Sequence, residues 1–185
     1  MTIKDAASGY GWLSIGLHWF NAVAVVMLWF IGNKMTGADV AADEAAELVR
    51  VHTSVAVTVY ALIWVRIGWR FYSGHPQGLP DQGRIRFAVA RTVHYTLLIT
   101  IAVMLITGPL KVWLGGEAIA FYNLGAIPSP FAANERLHDL LTNLHRWGGN
   151  VLFVVALVHM TAAARQIVFA QGEAAKRMTT PTGHE

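Results

Sequence analysis

The sequence predicts an all-α integral membrane protein, a four-helix bundle in one domain (residues 1–185) with both termini in the cytoplasm. Three observations predict it. The 185-residue chain is 55% hydrophobic and only 14% charged, and its mean hydropathy of +0.44 exceeds that of an ordinary water-soluble domain. Its apolar residues gather into four runs, each long enough to cross roughly 30 Å of hydrocarbon. Its Lys and Arg residues favour alternate connections between those runs.

The first run is 13–32, LSIGLHWFNAVAVVMLWFIG. Only Lys4, set against Asp5, precedes it, and it is longer than a signal-peptide core, so it is expected to be retained as a helix. An acidic, alanine-rich segment, ADVAADEAAE at 38–47, follows as an external loop or short helix. The second run covers about 50–69 and the third about 88–110. Pro128 and Pro130 break the long third connection, and the polar run Glu135–Asp139 after Asn134 reads as an external amphipathic turn. The fourth run covers about 145–169. None shows the alternation of a barrel strand. In a bilayer each must satisfy its own backbone hydrogen bonds, so all four are helices.

Charge sets the orientation. Lys4, Arg66, Arg70, Arg84, Arg86, Arg91, Arg165, Lys176 and Arg177 belong to one side. The other has Lys34, Arg50, Lys111, Arg136 and Arg146 beside seven acids. The more basic side faces the cytoplasm. These cations flank apolar runs rather than forming a basic block, so no nucleic-acid partner is expected. Seven Trp near the span ends suit an interfacial belt. The absence of Cys excludes disulfides, iron–sulfur clusters and covalently attached haem.

Five of the eight His lie in or at the ends of the runs: His18, His52, His94, His145 and His159. An imidazole within a membrane is a functional candidate, because burying it without purpose is costly. His145 and His159 are 14 residues apart, which returns them to nearly the same helix face about 21 Å apart along the axis. Helix direction then pairs His18 with His159 on the cytoplasmic level and His52 with His145 on the external level. Each pair can hold a six-coordinate iron by two neutral nitrogens, an arrangement suited to electron transfer. A zinc site would lack ligands at either depth. The residues thus point to two haem b groups with bis-His ligation, the metal ligands being His18, His52, His145 and His159.

Gly16, Gly148 and Gly149 are expected to give a flat macrocycle room. Arg66 follows His52 by the same 14-residue step, so it falls at the cytoplasmic level as a propionate clamp or a snorkelling cation; Arg70 is a weaker candidate. His94 is a candidate for a propionate or quinone contact, or for a backbone hydrogen bond. His138 is an alternative to His145 that its polar neighbours disfavour. Lys111 is a candidate external cation for a propionate or a small anion.

GLHWF around His18, RVHTSV around His52, TVHYTL around His94 and NLHRWGGNVLFVVALVH through His145 and His159 resemble the bacterial cytochrome b561 family in order and spacing. Gly108, Pro109 and Leu110 continue the likeness. The resemblance implies a four-helix inner-membrane protein with two b haems and quinone as redox partner; some members resembling this chain take electrons from external superoxide and reduce ubiquinone. Many relatives carry two His at the start of the third span and a His pair after the last ligand. Here only His94, and later Arg165 and Gln166, stand at those places. Membrane lipid, quinone and an external electron donor or acceptor are the expected partners, with a homodimer allowed. The alternative reading is a haem-bearing membrane anchor for a dehydrogenase or hydrogenase.

Overall fold

A computed structural model describes residues 3–74, 76–78, 83–169, 172 and 176–181. His75 and His184 lie outside them. Each apolar run forms a helix longer than the run itself. Among the described residues these are α1 (Trp12–Lys34), α2 (Ala42–Ser73), α3 (Arg84–Leu114) and α4 (Glu135–Phe169). All four are long and apolar enough to cross a membrane. At about 1.5 Å per residue, the 32 residues of α2 and 35 of α4 exceed a bilayer's hydrocarbon thickness. Their polar first turns therefore project beyond it.

The extra length has local causes. Much of the acidic segment becomes the start of α2, with Asp43 and Glu44 in the first turn, where carboxylates favour the positive end of the helix dipole. The polar run Glu135–Asp139, expected as a turn, is the start of α4. Asn134 caps it by accepting the Leu137 N–H through Oδ1 at 3.1 Å. Pro109 lies inside α3, one residue after Gly108.

A hairpin not foreseen from the sequence occupies the third connection. Strands β1 (Ile119–Phe121) and β2 (Gly125–Ile127) pair antiparallel, with Ala120 opposite Ala126. Tyr122 turns the corner at φ +49°, an uncommon conformation for a non-glycine residue. Its N–H donates to Oγ of the fully buried Ser54 at 2.6 Å, and its hydroxyl lies 3.1 Å from that of Thr58. Arg50 adds a hydrogen bond to Asn123. Polar side chains on α2 thus seat the hairpin.

The chain groups into two compact units, each built from parts of all four helices. The first comprises residues 1–22, 62–99 and 154–185; the second comprises 23–61 and 100–153. Ile15, Leu17, Ile63, Ile67 and Leu98 are buried in the first, and Ala24, Val59, Ile119 and Leu152 in the second. Large apolar side chains such as Val23, Phe30, Ile99 and Val154 are exposed, as the lipid-facing surface of membrane helices requires. Trp12, Trp19 and Trp147 are exposed in the manner of belt residues. Trp29 and Trp69 turn inward instead, Trp29 stacking on Phe153 at 3.6 Å and Trp69 donating to Ser14 Oγ at 2.8 Å.

Candidate functional site

In the first unit, α1, α2, α3 and α4 contribute His18, Arg66, His94 and His159. The ring centroids of His18 and His159 are 6.1 Å apart, and those of His94 and His159 5.2 Å apart. Imidazoles on opposite sides of one iron, each with a metal–nitrogen bond of about 2 Å, have centroids roughly 6 Å apart. The His18–His159 separation accommodates such an ion. The His94–His159 separation is shorter, and both pairs are edge-to-face, at 68° for His18–His159 and 70° for His94–His159. His94 is therefore in close contact with His159 on the side of α3.

The start of α1 is held by a polar cluster built around Asp5. This carboxylate accepts the Gly11 N–H at 2.9 Å and the Ser14 hydroxyl at 2.7 Å. A Cβ at Gly11 would come within 2.4 Å of the Ile3 carbonyl, so only glycine lets the N-terminal segment pass so closely. Arg70, itself buried, places Nη1 3.8 Å from Asp5 and its guanidinium 5.2 Å from the Tyr10 ring centroid. Arg66 reaches His18, with Nη2 3.5 Å from Nδ1, the outer limit of a hydrogen bond. Among the described residues, buried Arg66 Nη1 and Arg70 Nη2 have no hydrogen-bond partner. A buried guanidinium with a free N–H is primed for an anion, and a carboxylate matches its fork.

In the second unit, α2 and α4 contribute His52 and His145, and α3 contributes Lys111. The two imidazoles lie within electrostatic reach of each other, and Lys111 within reach of both. Small residues meet each ring. A Cβ at Gly32 would lie 3.3 Å from His52 Cε1, and one at Gly108 3.3 Å from His145 Cε1. Leu28 presents its backbone to the His52 ring, yet buried His52 Nδ1 has no hydrogen-bond partner of acceptable geometry among the described residues. His145 Nδ1 lies 2.9 Å from Thr107 Oγ1.

The structure brings His18, Arg66, His94 and His159 together, and likewise His52, Lys111 and His145. His138 belongs to neither pair. Its Nδ1 lies 2.7 Å from the Lys111 carbonyl, where Nδ1–H adds a second donor to an acceptor that also takes the Gly115 N–H at 3.1 Å near the end of α3. Of the glycines expected to matter, Gly16 has open space beside it, but Gly148 and Gly149 face Met104. The glycines that meet ligand-type rings are Gly32 and Gly108. Sequence reasoning missed Gly32, Thr107 and Asp5. The one available signal was Thr107 immediately before Gly108 and Pro109, a polar residue and two helix-disturbing ones at the end of an apolar run.

The donor sets fit haem better than a bare metal ion. Two imidazoles leave a tetrahedral zinc short of ligands, whereas a porphyrin iron needs only two axial donors. The free guanidinium N–H groups beside His18 match the carboxylates that haem carries. A sequence model of a family described as prokaryotic cytochrome b561 matches residues 9–181. The chain is also similar to "Cytochrome b561 homolog 2" of Escherichia coli (strain K12), with 22% identity over 178 residues, covering 96% of this chain and 95% of the relative.

Proposed function

Because the chain belongs to the prokaryotic cytochrome b561 family, a family of membrane proteins that transfer electrons through haem b, we propose that it holds two such haems, one at each end of the membrane. His18 and His159 would hold one; His52 and His145 would hold the other. The observation that carries this reading is the 6.1 Å separation of the His18 and His159 rings. A bound haem supplies a one-electron iron couple, and two axial imidazoles leave it no open position for oxygen chemistry.

The other residues bind and orient. Arg66 holds a haem propionate on the level of His18. A guanidinium only donates, so its 3.5 Å approach uses the Nδ1 lone pair of His18. Ligation through Nε2 would put the ring proton on Nδ1, where Arg66 cannot donate to it, and would leave the guanidinium for a carboxylate. His94 packs against His159 and fixes its ring plane. Lys111 supplies positive charge near His52 and His145, suited to a propionate or to attracting a small anion.

Both termini are cytoplasmic, with His18 and His159 toward the cytoplasm and His52 and His145 toward the outside of the inner membrane, as the distribution of Lys and Arg favours. Electrons exchange with quinone in the membrane and with a small donor such as superoxide outside, where Lys111 lies. Single His→Ala variants test the ligand pairs. His159→Ala and His18→Ala abolish the same haem signal in a redox titration, while His52→Ala and His145→Ala abolish the other. Loss of one and the same signal in His159→Ala and His52→Ala would overturn the pairing.

A further inference from the structure

The hydroxyl of Thr107 lies inside the second unit with 3% of the residue exposed. Two short contacts converge on it, with the Met104 carbonyl farther off at 3.5 Å. Oγ1 is 2.8 Å from the Val103 carbonyl, one turn back on α3, and 2.9 Å from His145 Nδ1. A hydroxyl has one proton, and a carbonyl only accepts. If that proton went to Nδ1, the hydroxyl and Val103 oxygens would face each other at hydrogen-bond distance with no proton between them. Both contacts are satisfied in one arrangement only: Oγ1–H donates to Val103, and Nδ1–H of His145 donates to Oγ1. The Nε2 lone pair of His145 is then free.

From this geometry we infer that Thr107 is a positioning residue that holds His145 in the iron-binding tautomer and tunes the potential of the haem His145 ligates. The inference rests on the assignment of His145 as a ligand. A ligand imidazole whose second nitrogen donates a hydrogen bond is fixed in orientation and is a stronger base toward the metal. A more basic ligand favours oxidised iron and lowers the potential. Gly108, the next residue, keeps the backbone close to His145 Cε1, so α3 holds the ring on its Nδ1 side by a hydrogen bond and by close packing together. His52 meets no such hydroxyl: its ring faces the Leu28 backbone, and its Nδ1 has no hydrogen bond of acceptable geometry among the described residues.

The test is a redox titration with low-temperature electron paramagnetic resonance on full-length, haem-loaded Thr107→Val and Thr107→Ser proteins. Valine nearly keeps the shape and removes the acceptor; serine restores it. Thr107→Val is expected to shift the potential of a single haem to a more positive value and to move that haem's resonance, or else to lose that haem, while Thr107→Ser keeps wild-type values. Wild-type behaviour of Thr107→Val overturns the inference. So does a Thr107→Ser protein whose potential is shifted or whose haem is lost, since the hydroxyl is then not what acts. His145→Ala separates this from the parent reading: retention of both haems there refutes the ligand assignment itself, whatever Thr107 does.

Discussion

Arg66 shows how much of a site one residue's position carries. The 14-residue step from His52 placed it on the level of His18 and His159 before any contact was known, and the structure sets its Nη2 beside His18. A cation near a haem stabilises the reduced, less positive iron, so its removal favours oxidation. Arg66→Met is expected to lower the potential of one haem by on the order of tens of millivolts. Arg66→Lys, keeping the charge but not the fork, is expected to lower it less. Potentiometric titration of both variants reads the difference; an unchanged potential in Arg66→Met would remove the propionate clamp. The candidate ligands could be proposed because the 14-residue step from His145 to His159 is a property of one helix and helix direction then assigns levels to His18 and His52. Thr107, Gly32 and Gly108 could not be, because each matters through a ring on another helix, and a single sequence does not say which faces meet.

Among the elements, the four helices were legible from apolar length alone, and their ends were not. α2 begins at Ala42 and α4 at Glu135 because polar first turns are stabilised by acidic residues and by the Asn134 cap, local interactions that hydropathy does not weigh. The hairpin was missed for a related reason. Its strands have three residues each and are held to α2 by side chains far away in sequence, chiefly Ser54. Ser54→Ala leaves the Tyr122 N–H without its acceptor, at a cost of about 1 kcal/mol, and removes the support for a corner at φ +49°. Faster hydrogen exchange at Tyr122 and easier protease nicking within residues 115–134 are expected, with α2 unaffected. Unaltered exchange would mean that strand pairing and the Arg50–Asn123 contact hold the hairpin alone.

For the whole molecule, one solvent and two chemistries account for the sequence. Lipid explains the exposed apolar faces, and paired imidazoles explain buried groups such as Thr107 and Arg66 that face them. Orientation follows from charge and is open to direct test, since the chain has no Cys of its own. In intact cells whose outer membrane has been permeabilised, Asp39→Cys is expected to react with a membrane-impermeant maleimide and Gly83→Cys to react only after lysis; the reverse pattern would invert the topology. The central claim is that this small helical protein carries a haem between the histidines at each end. A pyridine haemochrome assay on the purified chain tests it most directly. Two haem b per polypeptide is the expected result; one would contradict the paired sites, and none would contradict the account as a whole.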